Sequence, residues 1–180
     1  MDSTWGSYRR LNNIAGWILF VISFAVYLLT LEPTVSFWDC GEFILSAFKL
    51  QVGHPPGAPL FLMIGRIATL FALGDTSKVA VMMNGLSALC SAFAILFLYW
   101  TITHLVRRVV MADQSFDSKK ITSIIGSGVI GALAYTFSDT FWFSAVEGEL
   151  YALSSLVTGL VFWAMLKWEE EADQPSAGRW

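Results

Sequence analysis

The chain has 180 residues, 56% of them hydrophobic and 14% charged, with a mean hydropathy of +0.60 and a net charge of -3. Uninterrupted apolar segments long enough to cross lipid make this an integral membrane protein. The absence of a basic stripe excludes nucleic acid as a partner, and two cysteines, Cys40 and Cys90, make no disulfide framework.

Arg9 and Arg10 precede an uncharged run, Ile14 to Leu31, whose 18 residues reach about 27 Å as a helix. The run ends at Glu32-Pro33 without a small-residue cleavage pattern, so it reads as a retained signal anchor with the arginines inside. Residues 39–50 follow as a short amphipathic helix. Asp39, Glu42, Ser46 and Lys49 share one face, and Phe43, Ile44, Ala47 and Phe48 fill the other, a pattern suited to the membrane surface.

Residues 59–73 are apolar but short, and Arg66 interrupts them. If they crossed the bilayer, Arg107, Arg108, Lys119, Lys120, Lys167 and Arg179 would lie outside. If they lie in the interface, those cations join Arg9 and Arg10 inside, and only Lys49, Arg66 and Lys78 stay outside. The positive-inside rule selects the interfacial arrangement. Gly74-Asp75-Thr76-Ser77 is then an outer turn with a capping residue. Further spans are expected over residues 79–106, 121–137 and 150–166, the third with Gly126, Gly128 and Gly131 permitting close helix approach. Lys167-Trp168-Glu169-Glu170-Glu171 reads as a solvated tail. The expected fold is therefore all-α and polytopic, with four transmembrane helices and two interfacial helices in the first outer loop.

Seven of the fourteen carboxylates fall outside in this topology: Glu32, Asp39, Glu42, Asp75, Asp139, Glu147 and Glu149. Acids gathered at one membrane face mark a candidate site. Asp39 is suited to general-base work at the water boundary, where an apolar surround would make it a stronger base. Asp39 followed by Glu42 also has the spacing of a capping box, a purely structural use. Cys40 and Gly41 read as spacers. His54 stands in a turn stiffened by Pro55, Pro56 and Gly57, free to meet a phosphate or an acceptor, to join Asp39 and Glu42 around a metal, or to serve as a polar loop residue. Arg66 suits either a lipid-linked phosphate or a headgroup reached by snorkelling. Glu147, Glu149 and Tyr151 stand at the entrance of the last span, as contacts for sugar hydroxyls or simply as a polar loop. Trp38, Trp142 and Tyr151 also read as interfacial anchors. No metal site is expected, since H-x-x-x-H and C-x-x-C spacings are absent.

Asp39-Cys40-Gly41-Glu42, then Gly53-His54-Pro55-Pro56-Gly57-Ala58-Pro59-Leu60-Phe61, and more weakly Phe141 to Tyr151, resemble a membrane family described as protein O-mannosyltransferase-like. The order of parts is similar to that of the wider GT-C glycosyltransferase class. The resemblance implies transfer of a sugar, mannose in this branch, from a polyprenyl-phosphate carrier to a Ser or Thr hydroxyl of a protein at the outer or lumenal face. It places the family's essential loop aspartate at Asp39. The lipid-linked donor would be a substrate, and no cofactor is implied. The short length implies an N-terminal portion whose partners include further spans of the same native chain. The expected setting is a bacterial inner membrane, with the N-terminus cytoplasmic and the acidic loop periplasmic. The competing class is a non-enzymatic transporter or assembly subunit with a lipid-facing cleft.

Overall fold

A computed structural model of the protein describes residues 3–111 and 117–172. They form seven α-helices and no strand: α1 (Ser3–Leu29), α2 (Cys40–Lys49), α3 (Pro59–Leu70), α4 (Val79–Val110), α5 (Ser118–Thr136), α6 (Asp139–Val146) and α7 (Leu150–Glu171). A 3-10 turn, Thr76–Lys78, leads into α4. The protein is thus all-α and polytopic. Trp5–Leu29, Thr76–Val110 and Leu150–Glu171 are each long and apolar enough to cross a bilayer, and α5 with α6 makes a fourth candidate that bends by 65° at its break.

The central element is α4. More than half of its most apolar stretch is buried, against 22% for α1 and 11% for α7, and α1, α3, α5, α6 and α7 all pack on it. Its burial follows from small residues placed along its length: Ala88, Ala92 and Ala94 are covered, and Cys90 is a small packing residue beside them, as its apolar context implies. The glycines of α5 meet α4 unequally. A methyl group at Gly128 would stand 2.5 Å from Thr103 Cγ2, and one at Gly131 would stand 2.7 Å from Ile102 Cδ1. Gly126 has nothing within 4 Å, so it takes no part in the close approach expected of all three.

Two helices extend beyond their expected ends. The last turn of α4 carries Arg107 and Arg108, which favour a helix C-terminus. These arginines pair with Glu170 and Glu169 of α7, the second pair at 2.9 Å, and Lys167 Nζ reaches Glu170 at 2.8 Å. The acids expected as a solvated tail therefore continue α7 to Glu171 and fasten it to α4. Arg179, counted among the inner cations, lies outside the described residues.

At the other end, α1 stops before Glu32 and Pro33, and the chain crosses to α2 and α3. Asp75 caps the turn before α4, its Oδ1 accepting from Ser77 N at 3.0 Å and Ser77 Oγ at 2.6 Å. At 12 residues, α3 rises about 18 Å, well short of a bilayer's apolar core. Its Gly65 lies against Met83 and Ala47, close enough that an added methyl would fall 2.8 Å and 3.0 Å from them. That approach pins α2 and α3 across the start of α4. The bend into α6 was not expected. It is held by Tyr27, whose hydroxyl donates to Thr136 O at 3.0 Å, and by Trp142, whose Nε1 donates to Thr30 Oγ1 at 3.1 Å.

Candidate functional site

The site is built on the first turn of α2. Trp38, just before it, holds φ +60, a conformation few non-glycine residues adopt, with its side chain exposed. This sharp turn delivers Asp39 as the N-cap residue. Its backbone carbonyl accepts the first helical hydrogen bond, from Phe43 N at 2.9 Å, while its side chain makes no capping bond. Glu42 does not reach back to Asp39 N either, so the two carboxylates are not a capping box. Both are turned outward, in the positive field of the helix N-terminus.

Glu42 is engaged by the turn that follows α2. Its Oε1 accepts from His54 N at 2.6 Å, and Oε2 lies 3.0 Å from His54 Nδ1. Gly53 makes the approach possible, because a Cβ there would stand 3.0 Å from Glu42 Oε1. The turn closes through Gly57 N donating to His54 O at 2.9 Å, with Gly57 at φ +77, where glycine carries no steric penalty. His54 Nε2 then faces Asp39 Oδ2 at 4.0 Å. The order is Glu42, imidazole, Asp39, with the backbone and ring bonds from His54 holding the Glu42 carboxyl below its ordinary range. The same carboxylate raises the His54 imidazole above its ordinary 6.5. All three groups are exposed on this chain, the Asp39 side chain at 60%.

A second cluster lies behind the first, on the buried side of the same helix turn. Cys40 is fully buried, and its Sγ lies 3.3 Å from Glu147 Oε2 and 3.2 Å from Glu149 Oε1. Burial, reinforced by the two carboxylates, pushes the thiol well above its ordinary range, so Cys40 is a protonated donor. It is not a spacer: it joins α2 to the segment between α6 and α7. Glu147 is itself buried, at 3% exposure. Gly148, between the two acids, packs on Ile44 and Asn84, and Asn84 Nδ2 donates to Glu32 O at 2.7 Å and Thr34 O at 3.0 Å. One asparagine thereby ties the chain leaving α1 to the start of α4, beneath the acidic surface.

Of the residues expected in the site, Asp39, Glu42 and His54 come together at the surface, and Glu147 and Glu149 meet beneath them through Cys40. Tyr151 is exposed in the first turn of α7. Arg66 is committed elsewhere: Nη1 donates to Phe48 O at 2.7 Å, and the guanidinium lies 5.7 Å from the Phe48 ring centre. It closes the C-terminal end of α2, about 13 Å along that helix from Asp39. Sequence reasoning missed Cys40, since nothing local couples position 40 to positions 147 and 149. Each cluster gathers three ligand atoms within 4.8 Å, of types that suit a divalent cation.

Residues 39–180 match the family described as the protein O-mannosyl-transferase TMEM260 N-terminal domain. Among curated proteins, the chain is 30% identical over 147 residues to protein O-mannosyl-transferase TMEM260 of Mus musculus, covering 81% of this chain and 18% of that one. It is 27% identical over 144 residues to protein O-mannosyl-transferase tmem260 of Dictyostelium discoideum, covering 80% and 16%. The chain therefore spans less than a fifth of the length of these relatives. No solved structure matches. The family match starts at Asp39, the first residue of the acidic surface, and runs through both clusters: this chain belongs to the protein O-mannosyl-transferase TMEM260 N-terminal domain family.

Proposed function

We propose that the chain forms the catalytic edge of a protein O-mannosyltransferase that moves mannose from a polyprenyl-phosphate carrier to a Ser or Thr hydroxyl. The observation that carries this reading is the exposed Asp39–His54–Glu42 array at one end of the helical bundle. In the reaction the acceptor oxygen attacks the anomeric carbon, the bond from that carbon to the carrier phosphate breaks, and the phosphate leaves with the electron pair. Asp39 Oδ2 takes the hydroxyl proton. His54, held by Glu42 and inclined to carry its proton, offers positive charge to the departing phosphate. Glu42 is a positioning residue. Glu147 is buried and braces the array from beneath through Cys40, while the half-buried Glu149 and the exposed Tyr151 at the entry to α7 are the ones open to a sugar or acceptor. Arg66 holds α3 to the C-terminal end of α2 through Phe48 O.

The GT-C class, with its donor and its outer or lumenal site, is part of the same proposal, supported by the order of elements: a span, two short helices, then a long span. Both relatives are eukaryotic proteins, which supports a lumenal site over the bacterial inner membrane expected from the sequence. In the full-length protein, Asp39→Asn should lower mannosyl transfer from polyprenyl-phosphate mannose to a Ser/Thr peptide by at least about 100-fold, the lower end of the range for a lost general base. Unchanged transfer would sink the reading and leave the chain a scaffold for catalysis elsewhere.

A further inference from the structure

At the opposite end of the bundle from Asp39, the N-terminal part of α1 and the C-terminal ends of α4 and α7 enclose a chamber of about 690 Å³. Trp5, Trp17, Trp100 and Trp163 form aromatic walls, and Arg9, Arg107 and Lys167 outnumber the acids Glu170 and Glu171. His104 also lines it. The residue is 6% exposed, its Nδ1 stands 3.8 Å from Glu170 Oε2, and its Nε2 has no hydrogen-bond partner among the described residues. A buried polar nitrogen left open costs free energy unless something meets it. Asn13 and Trp17 also line an apolar strip on α1, where Ile14, Ile18 and Val21 are uncovered and Arg10 stands at the head.

A polar chamber whose three cations face two acids, with Arg107 and Lys167 sharing Glu170, beside an uncovered apolar strip matches one kind of occupant. We infer that this end of the protein binds the phosphate headgroup of an anionic lipid in the chamber, with its hydrocarbon chain along α1. The tryptophans sit where indole rings favour the headgroup boundary, and guanidinium groups recognise phosphate through paired hydrogen bonds. The site is separate from the acidic array and does not rest on the transferase reading.

The test uses full-length protein in mild detergent and native mass spectrometry with dioleoyl phosphatidic acid, dioleoyl phosphatidylcholine or inorganic phosphate. Phosphatidic acid should bind saturably and at least about tenfold more tightly than phosphatidylcholine. Arg9 and Asn13 are both exposed, so their substitution leaves the packed interior intact. Arg9→Gln should weaken phosphatidic acid about fivefold and leave phosphatidylcholine unchanged. Asn13→Trp, placing a bulky ring at the boundary that chamber and strip share, should abolish saturable binding. Equal affinity for the two lipids, or phosphatidic acid binding indifferent to both substitutions, would overturn the proposal. Full displacement of the lipid by millimolar inorganic phosphate would also overturn it, by assigning the chamber to the free anion.

Discussion

His54 and Glu42 depend on each other's charge, and that gives the candidate site a pH signature. The His54 pKa is raised, so what its pairing contributes is fully present below the unfolded value near 6.5 and is lost as pH rises through the folded pKa. The Glu42 pKa is lowered, so its contribution is present above about 4.5 and is lost as pH falls through its folded value. The turn from Gly53 to Gly57 should therefore be held best between a point below 4.5 and a point above 6.5. Amide exchange at His54 N, corrected for its intrinsic pH dependence, should be slowest inside that window. Glu42→Gln should return the imidazole titration, followed by NMR, toward 6.5 and speed that exchange. An imidazole titrating at the same pH with and without the carboxylate would show that the two side chains do not meet. Because both groups are open to water, screening keeps the effect local to the turn.

At the scale of elements, the glycines of α5 separate a packing requirement from a mere propensity. Gly128 meets Thr103 and Tyr99 of the central helix, so Gly128→Ala forces overlap in a covered seam and should destabilise by about 1–3 kcal/mol. Gly126→Ala adds a methyl in open space and should be neutral or slightly stabilising. Denaturant titration of the two variants in micelles checks the ordering; equal loss in both would mean that α5 does not approach α4 through Gly128. The glycine stripe was legible because small residues at helical spacing have one main use in an apolar helix. The bend into α6 was not, since Phe137-Ser138-Asp139 carries neither proline nor glycine. The bend depends on Tyr27 and Trp142, whose partners are 109 and 112 residues away. The same limit hid the Cys40 cluster. Asp39 and Glu42 were legible as acids on one face, but their actual use was decided by His54, twelve residues on, which took the carboxylate that a capping box would have used.

Across the whole molecule, chemistry is divided between two ends of one apolar body. The end that carries α2 and α3 presents Asp39, Glu42 and His54 to water. The other gathers Arg9, Arg107, Arg108 and Lys167 around the acids of α7. The positive-inside rule predicts an orientation for this polarity, with the basic end inside and the acidic array on the far side. The sequence made the division visible through charge counting alone, because the position of a cation between spans does not depend on packing. Lys49, at the end of α2, and Lys119, in the first turn of α5, are both exposed and lie on opposite sides of that division. Single cysteines at these positions, in an otherwise cysteine-free full-length protein that still transfers mannose or still folds by gel filtration, should react with an impermeant maleimide from opposite faces of sealed vesicles. Labelling of both from one face would mean that α3, despite its 12 residues, belongs to a crossing segment. The array at Asp39 and the chamber at His104 would then no longer be assigned to opposite leaflets by charge, and the lumenal placement of the transfer reaction would fall with that assignment.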